Sequence, residues 1–365
     1  MFLTAIAFII IFSILVLIHE WGHFTAARRA GIKVEEFGLG LPPLAKKIAK
    51  DKKGTTYTLN WIPFGGFVRL FGEDSEDPDV LKDKRSFASK TIWQRTTVIL
   101  AGVFMNFVLA WIIITIGFTV GMKPFLVTHE DIEKGIESGL IETQDGIYVS
   151  KAPVEESAFQ DGDMIISIDG IGAVESSMLI DVIEGNKIYK LNVVRADKKE
   201  AIIEVQTNEE GKFGIEISDQ KMITNVKNIS YPFYIAPIKA GKEVGRLSVL
   251  TVKMFGNVIV SLVAKLTIPE GVAGPVGIAK MTHRFVQEGF MALMQFMALI
   301  SISLGVINVM PFPALDGGRF LFIVFELIFR RKANAKWERI IHTTGFGLLM
   351  ILIVVITWND ILSLF

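Results

Sequence analysis

Residues 1–29 read MFLTAIAFIIIFSILVLIHEWGHFTAARR, and this stretch decides what kind of molecule the chain forms. Residues 1–18 are apolar apart from Thr4 and Ser13. Extended to about residue 25, the run reaches the roughly 20 residues that a helix needs to cross the hydrocarbon core of a bilayer. No basic residue precedes it, whereas Arg28, Arg29 and Lys33 follow it. A cleavable signal carries its positive charge in front, so this segment reads as a retained span. By the positive-inside rule its far end, with Lys46, Lys47, Lys50, Lys52 and Lys53 beyond it, faces the cytoplasm and the N-terminus lies outside.

The run ends in His19-Glu20-Trp21-Gly22-His23, an HExxH pattern. On a helix, positions i and i+4 share a face, so both imidazoles can reach one Zn²⁺ while Glu20 leans toward a coordinated water. Zinc lowers the pKa of such a water toward about 7, and a nearby carboxylate can then take its proton. An ionisable side chain at mid-membrane costs roughly 2.5–3.5 kcal/mol even on the lenient insertion scale, so three together call for a compensating purpose. The plainer alternative is that they mark the helix's cytoplasmic end. His129, His283 and His342 belong to no such pattern and read as ordinary surface or interfacial histidines.

The rest of the composition agrees with a membrane as solvent: 51% of the 365 residues are hydrophobic and the mean hydropathy is positive. There is no cysteine, which excludes disulfides, thiolate metal sites and a cysteine nucleophile, and leaves any metal to His, Asp or Glu. Formal net charge is zero, but residues 129–220 hold 21 Asp and Glu against 8 Lys and Arg, leaving the remainder basic. An acidic, water-exposed domain on a basic membrane portion follows, and nothing in it suggests nucleic acid as a partner.

Three further segments have span length, at about 97–121, 290–329 and 340–358, giving a multi-pass α-helical membrane protein with four transmembrane helices. The third is too long for one simple crossing and is interrupted by Pro311, Pro313, Gly317 and Gly318. Irregular backbone at membrane depth is tolerated only where protein or a cavity surrounds it. Between the first two spans, YTLNWIPFGGFVRLF (57–71) reads as strands with a bend or hairpin, within a membrane-associated β region of about 34–71. FGLGLPP (37–43) suits a membrane-dipping loop, or equally a cytoplasmic surface loop. GIYVSKA, DMIISIDG, KIYKLNVV and AIIEVQT are short β-branched runs that place a β-rich domain at 123–220. Residues 221–285 then form a linker whose part 234–266 predicts an amphipathic helix on the outer surface, or a plain connecting helix. Residues 1–122 and 286–365 make up the two membrane parts.

Two histidines leave zinc short of the three protein ligands usual at a catalytic site. Asp316, in NVMPFPALDGG (308–318), is a carboxylate inside the broken span and the best candidate for the third; its alternative is a helix cap just inside the cytoplasm.

HEWGH, the GLG loop, IPFGGFV, AGVFMNF in the second span, GPVG (274–277) and NVMPFPALDGG, in this order over nearly the whole chain, resemble the site-2 protease family of intramembrane zinc metalloproteases, its bacterial branch above all. That resemblance implies His19, His23 and Asp316 as zinc ligands and Glu20 as catalytic acid and base. Asn308 and the strand Trp61, Ile62, Pro63, Phe64, Gly65, Gly66, Phe67 and Val68 would hold the substrate backbone. It also implies one extracytoplasmic PDZ-like domain, with SAFQDGDMIISIDG (157–170) leading into its central strands, which binds peptides or excludes bulky substrates. Single-span membrane proteins, such as anti-sigma factors and remnant signal peptides, would be cut at the cytoplasmic side of a bacterial inner membrane. A non-catalytic adaptor whose β-rich domain binds peptide termini is the main competing reading, and a metal-gated transporter, which would need inverted repeats, the weaker one.

Overall fold

The computed structural model describes all residues except 1, 74, 76, 152–157, 173–175, 178–182, 196–198, 266–271, 332 and 363–365. The chain divides into two units, Met1–Met122 with Ser230–Phe365, and Lys123–Ile229.

The first unit opens with α1 (Phe2–Arg29), whose 28 residues at about 1.5 Å each outreach the bilayer core. The chain then folds back in β1 (Val34–Lys50) and β2 (Thr56–Leu70). The segment 37–43, read above as a loop, lies within β1. The segment 57–71 is not a hairpin of its own, because its partner is that supposed loop. Leu39 stands opposite both Leu59 and Gly66, so the first half of β1 runs between the two halves of β2, while Leu44–Lys50 pairs with Thr56–Asn60. Among the described residues, Gly66–Leu70 pairs with no strand but Val34–Leu39, which makes its other side a sheet edge. After a short α2 (Pro78–Lys82), α3 (Ile92–Val120) starts from a capping box in which Thr91 and Gln94 satisfy each other's backbone N–H groups.

The second unit begins with α4 (His129–Glu137), again with a capping box, Thr128 with Asp131. It continues in β3 (Ile141–Lys151), β4 (Met164–Ile168), β5 (Ile171–Gly172), β6 (Ile188–Val194), β7 (Glu200–Gln206) and β8 (Glu216–Val226). The sheet order is β7-β6-β4-β3-β8, with β5 paired to β4. Alternate inward residues, Ile147, Val149, Ile165, Tyr189, Leu191 and Val193 among them, make its core. The four β-branched runs of the sequence are all strands here. Strand β8, with polar and charged residues through EISDQKMITNV, carries no such signal.

The first unit resumes with α5 (Ala236–Lys265), α6 (Pro275–Glu288), α7 (Phe290–Val309), α8 (Asp316–Phe329) and α9 (Ala335–Leu362). The expected interruption of the third span falls at residues 310–315. Among the described residues, five helices are long and apolar enough to cross a membrane: Phe2–Arg29, Ile92–Val120, Ala236–Leu262, Phe290–Val309 and Lys336–Leu362. The third of these is one more than the four counted from sequence. It is the segment whose five basic residues made it read as a surface helix. Helices α1, α3 and α7 pack closely through small residues: a Cβ on Gly22 would lie 2.3 Å from the Ala101 carbonyl oxygen, and Gly305 seats the Phe107 ring. In a medium as apolar as the side chains, such close backbone approach is what holds helices together.

Candidate metal centre

The HExxH helix is continuous through the motif, so His19 and His23 project one turn apart. Their Nε2 atoms are 3.1 Å apart. Asp316, at the first position of α8, places Oδ2 3.2 Å from His19 Nε2 and 3.4 Å from His23 Nε2. The aspartate thus lies 293 residues beyond His23 in the chain and at its side in space. Among the described residues this is the one group of three that could hold a metal ion.

The donor set fits zinc. Three ligand atoms around a tetrahedral ion at about 2.0–2.1 Å stand about 3.3–3.4 Å apart, close to the edges found here. Asp316 Oδ2 is buried, and among the described residues its polar neighbours are the two imidazoles. Three acceptor atoms at this separation repel unless a cation lies among them. The neighbours also set the tautomers that ligation requires: His23 Nδ1–H donates to the Val98 carbonyl at 2.9 Å, which leaves Nε2 with a free lone pair. His19 Nδ1 lies 3.4 Å from the amide of Asn106. Turned by 180°, that amide brings Oδ1, otherwise buried without a partner, to accept from Nδ1–H. Asn106 is itself held by Ser301, whose hydroxyl donates to its carbonyl at 2.8 Å. Gly102 completes the wall, because a Cβ there would lie 2.3 Å from His23 Nε2.

Glu20 is half-buried, in electrostatic contact with His23, His19 and Asp316 and facing the backbone of Val68. Its Cγ is 3.8 Å from where Gly66 would carry a Cβ. Strand β2 therefore runs past the one carboxylate that the cluster leaves free. Of the strand residues singled out from sequence, Gly65 lies against Val16 and Gly66 against Leu17 and Glu20, while Trp61 is 72% exposed and Ile62 41%. The carbonyl of Pro63 accepts from Ser13, Phe67 covers Gly38, and the side chain of Phe64 lies outside the described residues. Asn308 is half-buried near the end of α7 and makes no side-chain hydrogen bond to another described residue.

Several neighbours of the centre escaped the sequence reading: Val98, Gly102, Asn106 and Ser301. AGVFMNF was noticed only as part of a resemblance, and a polar Asn inside an apolar span was the signal available. His342, read as ordinary, accepts from the backbone N–H of Ala314 at 3.0 Å, two residues before Asp316.

Two imidazoles and a carboxylate converging beside a second carboxylate, on helices of membrane length, are what a membrane-bound metallopeptidase requires of its site. The model of Peptidase family M50 matches residues 7–352, and the chain belongs to that family. It is 35% identical over 356 residues to a candidate zinc metalloprotease of Clostridium perfringens, with 96% of each chain covered. It is 30% identical over 452 aligned positions to the regulator of sigma-W protease RasP of Bacillus subtilis, and 28% over 447 to the zinc metalloprotease RasP of Shouchella clausii, with 99% of each chain covered in both cases. The chain is a zinc metalloprotease of the intramembrane, site-2 type.

Proposed function

We propose that the protein is an intramembrane zinc endopeptidase that cuts single-span membrane proteins within or close to their transmembrane segments, as one step of regulated intramembrane proteolysis. The observation that carries this is the meeting of His19, His23 and Asp316 at 3.1–3.4 Å, with Glu20 beside them, on a helix long enough to cross the bilayer. His19, His23 and Asp316 are the ligands in this reading, and bound zinc supplies Lewis-acid polarisation and a lowered water pKa. Glu20 takes the proton of the attacking water on its carboxylate and returns it to the leaving amine nitrogen. Val98 and Asn106 keep both imidazoles in the tautomer that exposes Nε2.

A transmembrane helix hides its peptide carbonyls in i to i−4 hydrogen bonds, so a substrate must unwind before cleavage, and its freed backbone groups then need partners where water is scarce. The outer edge of Gly66–Leu70, where Glu20 meets the backbone of Val68, offers them by strand addition. Asn308 steadies the same backbone from α7. Helix-breaking residues in the substrate's span therefore favour turnover.

In the same reading α1, α3, the α7 and α8 pair, and α9 make four crossings, with both termini outside and the metal centre near the cytoplasmic face. Helix α5, with Lys239, Lys242, Arg246, Lys253 and Lys265, lies along the outer surface. The second unit is a single PDZ-like domain outside the membrane that selects or excludes substrates by their exposed ends. Anti-sigma factors and remnant signal peptides are the substrate class the chain is proposed to serve, in a bacterial inner membrane. The RasP of Bacillus subtilis bears a sigma-regulator name that suits this reading.

The test is cleavage of a single-span substrate by purified protein in bilayers, with and without zinc, by wild type and by Glu20→Gln. Loss of cleavage in both the zinc-free wild type and the zinc-loaded variant is expected. Wild-type turnover by Glu20→Gln sinks the assignment.

A further inference from the structure

We infer that His342 is a positioning residue for Asp316, so that the last helix of the chain sets the geometry of the metal centre. The inference rests on the proposed ligand set.

Asp316 opens α8 directly after the irregular segment 310–315. Pro311 and Pro313 have no N–H to tie this segment down. Ala314 adopts φ 77°, a left-handed conformation that residues with a Cβ rarely take, so something must hold it there. Its N–H donates to His342 Nδ1 at 3.0 Å. One turn further along α9, Gly345 is buried against the preceding residue of the loop: a Cβ there would lie 2.2 Å from Cβ of Pro313. Positions i and i+3 share a helix face. Helix α9 therefore grips Pro313 and Ala314 together, by an acceptor and by a missing side chain. The His342 ring also lies 5.4 Å, centroid to centroid, from Phe322 of α8.

A largely apolar cavity of about 690 Å³ lies beside this contact, between the loop, α8 and α9, lined by Pro311, Pro313, Phe322, Trp337 and Ile341 among others. Loss of the acceptor at 342 leaves a polar N–H facing apolar surroundings and frees Ala314 to leave its left-handed conformation. The shift is passed through Leu315 to Asp316. An acceptor from the Nδ1 position also implies that the proton sits on Nε2.

The experiment measures zinc affinity, thermal unfolding and cleavage of a single-span substrate for the full-length wild type, His342→Ala, His342→Asn and His19→Ala. The Asn side chain returns an oxygen acceptor to the place of Nδ1. Expected are a zinc affinity about 10–100-fold weaker in His342→Ala, its recovery in His342→Asn, and a fall in kcat with little change in KM. Wild-type zinc affinity in folded His342→Ala overturns the inference. Equal losses in the Ala and Asn variants also overturn it, since they assign the effect to the ring rather than to its acceptor. If His342→Ala does not fold, His342→Asn decides alone: zinc held supports the role, zinc lost removes it. Identical zinc binding by wild type and His19→Ala has a different signature, because it sinks the ligand set itself and this inference with it.

Discussion

The two histidines and the aspartate reach one point by different routes. His19 and His23 stand on one uninterrupted helix, where a spacing of four residues alone brings their Nε2 atoms within 3.1 Å. Their surroundings are tight: Gly22 and Gly102 let α1 and α3 touch backbone to backbone, and Val98 and Asn106 face the rear ring nitrogens. Asp316 hangs from a loop with two prolines and a left-handed alanine, bordered by a cavity and gripped from α9. The first arm is preformed by local geometry, whereas the second depends on contacts between elements far apart in the chain. Zinc affinity should therefore be robust to change in the first arm's surroundings only where space allows it, and sensitive to distant change in the second.

The largest expected effect treats both arms alike. His23→Ala and Asp316→Ala should each weaken zinc binding by more than the roughly 100-fold that marks the upper end for outer-shell partners; equilibrium dialysis reads this, and near wild-type stoichiometry in Asp316→Ala would remove the second arm from the centre. Glu20→Gln comes next and separates binding from chemistry. Cleavage should fall by at least about 10²–10⁴-fold, the usual worth of a general base, with zinc retained. Asn106→Ala should weaken zinc by about 10–100-fold through loss of the His19 orientation, with a smaller change in unfolding temperature. Gly102→Ala tests tightness itself: its Cβ has no room beside His23, and overpacking of this kind costs about 1–3 kcal/mol in stability. Ser301→Ala should do least, about 0.5–1.5 kcal/mol, since it removes one hydrogen bond to the backbone of Asn106. A Gly102→Ala protein as stable as wild type would mean that the first arm is looser than its geometry implies.

The same contrast explains what could be read in advance. HEWGH is a local pattern, and a local pattern on a helix is already a geometry, so the histidine pair and Glu20 were legible from residues 19–23 alone. Asp316 was legible as an acid stranded in an interrupted apolar span, although only the fold shows which partners it meets. Val98 acts through a carbonyl that every residue possesses, and Gly102 acts by what it lacks, so neither leaves a mark in sequence. His342 contacts backbone rather than another motif, which is why it passed for ordinary. In the β region the strand character of 57–71 was clear, but register was not. The partner strand is written in glycine, proline and lysine, residues that favour turns or solvent, and only pairing with β2 makes them extended. Strand β8 failed for the same reason, its neighbours rather than its residues making it a strand. Helix α5 covers nearly the residues expected of it, 234–266, and beside its five basic residues carries an apolar run that also satisfies the criteria for a span.

The gap between α7 and α8 has one further consequence. Residues 310–315 lack a continuous helical ladder, and the first turn of any helix leaves backbone N–H groups unpaired. The N–H groups of Phe312, Ala314 and Leu315 are hydrogen-bonded and Pro313 has none, so deuterium should enter first at Asp316 and Gly317, where α8 opens, within a chain whose flanking helical amides resist exchange, making these two residues an isotopic window onto solvent in the midst of lipid.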